Sequence, residues 1–217
     1  MPIDFNQARH AMVEQQVRPW EVLDRRVLDV LSEVRREDFV PVRHRKLAFA
    51  DLCLPLGHDE VMLKPVLEGR LLQALDLAPT DEVLEIGAGS GFLTACLARL
   101  ARSVTAIELH ADFVAEALRR LEALNAVNVR LSQADARDWD TGLRFDAILV
   151  GGAVAELPER FLAWLKPGGR LVAVRGTAPA QEAVCLRNES AGPRIESLFE
   201  TDLPYLRGFA PQARFTL

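Results

Sequence analysis

The chain has 217 residues, of which 49% are hydrophobic and 26% are charged. This composition is typical of a globular protein and excludes a disordered or collagen-like chain. The 26 Lys and Arg residues against 31 Asp and Glu residues give a net charge of −5, and a dedicated nucleic-acid-binding protein is not expected because such proteins usually carry a basic excess.

The sequence predicts neither a membrane span nor a secretory signal. No apolar stretch approaches the ~20 residues that a spanning helix needs, and the N-terminus, MPIDFNQARH, lacks a charged region followed by an apolar core. The three cysteines form no CxxC pair, and the four histidines share no metal-ligand spacing. We therefore expect a cytoplasmic protein without a metal site.

The N-terminal part of the chain is predicted to be mainly helical. The segment 21–34 carries apolar residues at near-helical spacing, with charges on the opposite face, which predicts an amphipathic helix that ends before Pro41. Residues 47–64 show no clear period, so we expect a loop-rich segment there. A second helix is predicted to begin at Pro65 and to stop before Pro79.

Beyond residue 80, short apolar runs alternate with helical patterns. Strands are predicted at 83–86, 104–107, 129–131, 147–150 and 171–174. Helices are predicted between them at about 91–100, 111–124 and 158–165. This alternation is typical of a parallel sheet with helices on both faces. Segments 184–187 and 213–217 are expected to be antiparallel strands at the edge of the sheet. The predicted division is a helical region, 1–80, and an α/β core, 81–217.

A glycine-rich turn follows the first of these strands, with the sequence Gly87-Ala88-Gly89-Ser90-Gly91. Glycines at alternating positions let the backbone approach a ligand closely and adopt angles that a side chain would forbid. A dinucleotide-binding loop would carry its third glycine one position later, where this chain has phenylalanine. The turn therefore indicates a ligand, but does not match the dinucleotide pattern.

Acidic residues follow the next two strands. Glu108 ends the second strand, where a carboxylate can accept two hydrogen bonds from a ribose diol, so it indicates an adenosine-type cofactor. Enzymes that use NAD share this feature, so Glu108 by itself does not distinguish between such cofactors. Asp135 and Ala136 follow the third strand.

Together these features resemble class I S-adenosylmethionine-dependent methyltransferases. Glu85 stands two residues before the alternating glycines, as in their motif I, and segments 145–150 and 165–171 resemble motif IV and the turn before strand five. The resemblance implies a Rossmann-like α/β fold with a mostly parallel seven-stranded sheet, helices on both faces and an N-terminal helical cap. It also implies S-adenosyl-L-methionine as the cofactor and S-adenosyl-L-homocysteine as its product. The cofactor-binding residues that it implies are Glu85, Gly87, Ala88, Gly89, Ser90, Gly91, Glu108, Leu109, Asp135 and Ala136.

The N-terminal part of the chain narrows the resemblance to one family of these methyltransferases. Segments 12–18, 24–28, 36–41 and 48–56 resemble the N-terminal region of the protein-L-isoaspartate O-methyltransferase family. Such enzymes esterify the misplaced α-carboxylate of isoaspartyl residues in damaged proteins, which is a repair function. A carboxylate with a pKa near 4 is already ionised at neutral pH, so the reaction needs no general base.

The chain departs from the family at the expected acceptor site. The family motif reads roughly G-x-G-Q-T-I-S-x-P, whereas this chain has Asp59 and Glu60 at the Gly-Gln pair and Leu63 at the serine. A carboxylate about 5 Å from an incoming carboxylate costs on the order of 3 kcal/mol at an effective dielectric constant of 20. This repulsion would lower the affinity roughly a hundredfold, unless Lys64 or His58 compensates it or the acidic side chains point away.

Three interpretations follow from this departure. In the first, the chain methylates isoaspartyl residues of a protein or peptide through a rebuilt acceptor site. In the second, it methylates a different acceptor, including a cationic or hydroxyl-bearing small molecule, with Glu60 as a candidate general base. In the third, it is a non-catalytic cofactor-binding module with a partner surface formed by Trp20 and residues 43–46. This one ranks last because we expect Trp20 to be a packed loop anchor. The sequence makes no prediction of the oligomeric state.

Overall fold

Helices dominate the first part of the computed structural model, which describes residues 3–212. They are α1 (Phe5–Met12), α2 (Arg25–Glu33) and, after residue 64, α3 (Pro65–Leu75). The two helices predicted here are thus confirmed, and α1 is an addition. The helix α2 begins later than predicted because the side chain of Asp24 caps it, accepting a hydrogen bond from the backbone N–H of Arg26 at 2.8 Å.

The segment before α3 contains a β-hairpin that the sequence pattern did not predict. Its strands, β1 (Leu54–Gly57) and β2 (Glu60–Met62), are antiparallel. The turn between them consists of His58 and Asp59, with φ angles of 52° and 62°. A two-residue turn with both φ angles positive matches the twist of a hairpin, but glycine or asparagine usually occupies it. The loop prediction was wrong here because these usual turn residues are absent.

The remaining elements alternate between strand and helix and then end in a run of strands. They are β3 (Glu82–Ile86), α4 (Phe92–Leu100), β4 (Ser103–Glu108), α5 (Ala111–Ala123), β5 (Val129–Gln133), β6 (Phe145–Val154), α6 (Glu159–Ala163), β7 (Leu165–Thr177), β8 (Ala180–Glu189) and β9 (Gly192–Thr201).

Seven of these strands form one sheet in the order β5-β4-β3-β6-β7-β8-β9. Pairing is parallel from β5 to β7 and antiparallel between β7, β8 and β9. The predicted seven-stranded, mostly parallel sheet is confirmed. The predicted strand at 184–187 lies within β8, which is antiparallel as expected but has a neighbour on both sides. The predicted strand at 213–217 lies outside the described residues.

Both faces of the central strands are buried, since neighbouring residues of one strand belong to different hydrophobic clusters. On β3, Val83 joins the cluster that also contains Met12, Leu31 and Leu97. The next residue, Leu84, joins the opposite cluster, which contains residues of α6. Parallel strands covered by helices on both faces carry such near-continuous apolar runs.

The N-terminal helices pack directly on the core of the sheet, because α3 contacts β6, β7 and β8. Within residues 3–212, no helix is both long enough and apolar enough to cross a membrane. The order of strands reverses between β3 and β6, and ligands of open α/β sheets bind at the carboxyl ends of the strands at such a point.

Candidate functional site

A cavity opens at this carboxyl edge of the sheet. It encloses about 710 Å³, open solvent at its mouth included. The β1–β2 hairpin and the first turn of α5 contribute to its walls, as do the loops after β3 and β5. The end of β4, the middle of β6 and residues 204–209 complete them.

The glycine-rich turn contributes two of its three glycines to the cavity. Gly87 and Gly89 line it and have φ angles of 84° and 52°. Gly91 (φ 83°) has a different role: a Cβ there would lie 2.9 Å from the Cβ of Ala117, so this glycine lets α4 and α5 pack closely. Gly87 and Gly89 therefore allow a ligand to approach the backbone, whereas Gly91 allows close packing next to α5. Ala88, Ser90 and Gly91 are buried around the turn and are not part of the cavity lining.

Glu108 lines the cavity and also holds the glycine-rich turn. Its two carboxylate oxygens accept hydrogen bonds from the backbone N–H groups of Gly89 at 2.8 Å and His110 at 2.9 Å. Each oxygen of a carboxylate has two acceptor positions. Glu108 can therefore fix the loop and still accept hydrogen bonds from a ligand.

Glu85 is fully buried behind the turn and is not part of the cavity lining. The hydroxyl of Thr94 donates a hydrogen bond to it at 2.5 Å. Burial raises the pKa of Glu85 to about 8, because the ionised form would lose its hydration. At neutral pH this side chain is mainly a neutral acid, so its predicted contact with the cationic part of the cofactor stays a prediction.

Three further residues on the predicted cofactor list line the cavity: Leu109, Asp135 and Ala136. Asp135 pairs with Arg137, whose Nη2 lies 2.6 Å from a carboxylate oxygen. The hydrogen bonds from Arg137 hold the pKa of Asp135 below its usual value. The loop after β5 thus presents an ionised carboxylate at the cavity.

Of the three expected acceptor-site residues, two line the cavity and one does not. Glu60 and Leu63 line the cavity, whereas Asp59 occupies the hairpin turn away from it. Leu63 is buried, and its backbone carbonyl accepts a hydrogen bond from Arg36 at 2.6 Å. Arg36 also pairs with the buried carboxylate of Glu68. This pair fixes the end of the hairpin against α3.

The charged or titratable neighbours of Glu60 are His110 and Arg207. Its Oε1 lies 3.5 Å from Nε2 of His110 and 3.5 Å from Nε of Arg207. Among the described residues, neither Lys64 nor His58, the two compensating groups considered from the sequence, forms an ion pair with Glu60. Lys64 instead precedes α3 as its N-cap residue, in extended backbone.

Residues 203–209 form a wall of the cavity that sequence reasoning missed. The segment runs beside β6, where Ala153 N–H donates to Pro204 at 2.9 Å and Leu206 N–H donates to Ala153 at 2.8 Å. Its residues have no regular apolar period. The aromatic side chains of Tyr205 and Phe209 are the one sequence signal that this segment packs against the rest of the fold. The wall brings the guanidinium of Arg207 to the acceptor side.

Trp20 is not the packed loop anchor that we expected. It ends a short 3-10 turn at Arg18–Trp20 and is 58% exposed. The described structure therefore does not support the packing argument against a partner surface there.

Two solved structures of methyltransferases share this fold. The beta-aspartate methyltransferase (PCMT) of Plasmodium falciparum, crystallised with S-adenosyl-L-homocysteine, superposes with a TM-score of 0.80 at 20% identity, over 92% of this chain and 98% of that one. A structure of a protein-L-isoaspartate O-methyltransferase superposes with a TM-score of 0.78 at 22% identity, over 94% of this chain and 67% of that one.

The sequence comparisons identify the family. The model of the family "Protein-L-isoaspartate(D-aspartate) O-methyltransferase (PCMT)" matches residues 7–200. The protein-L-isoaspartate O-methyltransferase of Roseiflexus sp. (strain RS-1) is 36% identical over 210 residues, which cover 96% of each chain. That of Methylorubrum extorquens (strain PA1) is 42% identical over 170 residues, 78% of this chain and 74% of the relative. The chain belongs to the protein-L-isoaspartate O-methyltransferase family.

Proposed function

We propose that this chain transfers a methyl group from S-adenosyl-L-methionine to the α-carboxylate of isoaspartyl residues in proteins and peptides. The observation that carries the proposal is that one cavity is lined both by Gly87, Gly89 and Glu108 and by Glu60 and Leu63. The residues expected to bind the cofactor and those expected to bind the acceptor thus line the same cavity. Family membership gives the acceptor its chemical class.

The residues of the cavity fit the cofactor. A Cβ at Gly87 would lie 3.1 Å from Leu206, and one at Gly89 would lie 3.3 Å from Leu56, so side chains there would fill the space next to the turn. Glu108 would hold the ribose hydroxyls and Asp135 the adenine amino group. When bound, S-adenosyl-L-methionine supplies a methyl group on a positively charged sulfur.

The chain's own residues would orient the acceptor and exclude water. An isoaspartyl carboxylate is ionised at neutral pH, so no residue has to remove a proton. Leu56, Val61 and Leu63 give the acceptor side an apolar wall. Arg207 adds a positive charge there, anchored by a hydrogen bond from its Nη2 to the carbonyl of His58 at 2.8 Å. Rate enhancement would come mainly from holding the carboxylate in line for transfer.

A second candidate is methyl transfer to an acceptor that must lose a proton, with Glu60 as the general base. The position of Glu60 in the cavity lining favours it. The contacts of Glu60 with Arg207 and His110 oppose it, because the carboxylate oxygen that would take the proton already faces these two side chains at 3.5 Å. We rank this candidate, which includes small-molecule acceptors, second.

We further propose that residues 1–80 form the cap and acceptor-side loop over a cofactor-binding core, 81–217, and that the protein is cytoplasmic and does not bind nucleic acid. All three cysteines, Cys53, Cys96 and Cys185, are free thiols, as in a reducing compartment.

The experiment that tests the function measures labelled methyl transfer to an isoaspartyl peptide by the wild type and by the Glu60→Gln and Leu63→Ser variants. We expect transfer by the wild type, at least as much by Glu60→Gln, which removes a like charge, and more by Leu63→Ser, which restores the family hydroxyl. Binding of S-adenosyl-L-homocysteine to each variant is the control. No transfer to the isoaspartyl peptide by the wild type despite intact binding would favour the second candidate, whose own test is loss of turnover by Glu60→Gln on an acceptor that must lose a proton.

A further inference from the structure

Two histidines far apart in the sequence stack face to face beside Phe113, a residue of the cavity lining. His58 lies in the turn of the β1–β2 hairpin, and His110 is the N-cap residue of α5. Their ring centroids are 4.2 Å apart, with an angle of 7° between the planes. The ring of Phe113 stands edge-on to both, at 5.3 Å from His58 and 5.2 Å from His110. One aromatic cluster therefore brings both imidazoles together.

A carboxylate completes the cluster. An oxygen of Asp112 lies 3.0 Å from Nε2 of His58. One ligand atom from each of His58, His110 and Asp112 lies within 4.8 Å of the other two. Two imidazoles and a carboxylate are a ligand set typical of Zn²⁺ and other late first-row divalent ions. Mg²⁺ and Ca²⁺ prefer oxygen ligands alone, so this set disfavours them.

The backbone around each ligand is anchored. The carbonyl of His58 accepts a hydrogen bond from Arg207 at 2.8 Å, and the backbone N–H of His110 donates to Glu108 at 2.9 Å. The side chains of His58 and Asp112 are 45% and 65% exposed, so an ion can enter from solvent. The side chain of His110 is only 14% exposed and closes the inner side. Glu60, 3.5 Å from Nε2 of His110, orients that ring.

We propose that His58, His110 and Asp112 bind one divalent transition-metal ion, with Zn²⁺ as the best fit. Zinc lies about 2.0–2.2 Å from its ligands and in the plane of each imidazole that binds it. The exposed His58 ring must therefore turn out of its stack on His110, and the three side chains must close by on the order of 1 Å. The ion ties the hairpin, which carries Glu60, to α5, which carries Phe113. It thereby fixes the two sides of the cavity mouth relative to each other. Metal binding requires neither the cofactor nor the acceptor.

The test is calorimetric titration of Zn²⁺ into the full chain, with the variants His58→Gln, His110→Gln and Asp112→Asn. The exposed His10 provides the matched control, His10→Gln. We expect one Zn²⁺ per chain in the wild type and in the control, and affinity at least about tenfold weaker in each ligand variant. Far-UV circular dichroism checks that each variant is folded, and the exposure of His58 and Asp112 makes their variants the least disruptive.

Two further readouts separate this site from metal binding elsewhere. Co²⁺ bound in place of Zn²⁺ must give a visible spectrum without a thiolate charge-transfer band, since the ligands are nitrogen and oxygen. Zn²⁺ must slow amide hydrogen exchange of residues 54–62 in the wild type and in His10→Gln, but not in His58→Gln. The proposal is overturned if the wild type binds no Zn²⁺, if His58→Gln and His110→Gln bind it as tightly as the wild type, or if a thiolate band appears.

Discussion

Nε of Arg207 lies 3.5 Å from a carboxylate oxygen of Glu60, although the two residues lie far apart in the sequence. Glu60 is part of the departure from the family motif, and Arg207 belongs to the wall formed after the last strand. We propose that the guanidinium offsets the negative charge that would otherwise repel an incoming carboxylate.

The first prediction concerns this pair. Arg207→Gln leaves Glu60 less screened, so the KM for an isoaspartyl peptide should rise roughly tenfold to a hundredfold, as expected for two carboxylates at short range. Binding of S-adenosyl-L-homocysteine should be nearly unchanged. The double variant Glu60→Gln/Arg207→Gln should regain part of the lost affinity. Steady-state kinetics of the wild type and the two variants measure these KM values. An unchanged KM in Arg207→Gln would show that Arg207 does not screen the charge of Glu60.

The buried acid Glu85 predicts a pH-dependent stability. The folded protein retains the proton of Glu85 up to a pKa of about 8, whereas the unfolded chain releases it near the ordinary value of about 4.3. Stability therefore falls as pH rises between these two values and levels off above the folded pKa. Between pH 6 and 8 the free energy of unfolding of the wild type should fall by about 2 kcal/mol relative to that of Glu85→Gln, whose side chain has no ionisable proton.

Denaturant unfolding of the wild type and Glu85→Gln at several pH values measures this difference. The exposed Glu122→Gln variant is the control and should follow the wild type. Parallel stability curves for the wild type and Glu85→Gln would contradict the raised pKa.

The buried ion pair of Arg36 and Glu68 gives a third prediction. Arg36 also donates to the backbone carbonyls of Ala48 at 2.7 Å and Leu63 at 2.6 Å. Arg36→Met leaves the carboxylate of Glu68 without its partner and should destabilise the fold by about 3–5 kcal/mol. In Arg36→Met/Glu68→Leu no charge remains buried, so part of this loss should return. A double-mutant cycle by chemical denaturation gives the coupling energy, and strictly additive losses would show that the pair is not coupled.

A fourth prediction tests the role assigned to Gly91. Alanine there meets both a positive φ of 83° and the Cβ of Ala117 at 2.9 Å. Gly91→Ala should therefore lower the free energy of unfolding by about 2 kcal/mol or more. At Gly142 no atom lies within 4 Å of the added Cβ, so Gly142→Ala should stay within about 1 kcal/mol of the wild type. Equal denaturation midpoints for the two variants would remove the packing role of Gly91.

The parallel core was predictable from sequence because its strands are buried on both faces. Such strands give short apolar runs, as at Val83–Ile86, and the helices between them keep a helical period. The strand β9 was missed since its residues are largely exposed and carry no such signal. The hairpin was missed because His58 and Asp59 occupy a turn that usually contains glycine or asparagine.

The cofactor side of the candidate site could be predicted from the sequence, whereas most of the acceptor side could not. The family resemblance implied Gly87, Glu108 and Asp135 as cofactor-binding residues, and all three line the cavity because parallel strands bring their carboxyl ends to one edge of the sheet. The acceptor side depends on contacts between distant segments. Local ligand spacing could not reveal the stacking of His58 on His110, and the irregular segment that carries Arg207 gave no pattern to place it.

The most direct test of the proposed function compares two peptides of the same sequence, one with an isoaspartyl residue and one with the aspartyl residue. Initial rates of labelled methyl transfer from S-adenosyl-L-methionine are measured on a preparation whose binding of S-adenosyl-L-homocysteine has been confirmed. We expect transfer to the isoaspartyl peptide and almost none to its aspartyl counterpart. Cofactor binding without transfer to the isoaspartyl peptide, or equal transfer to both peptides, would contradict the proposed function.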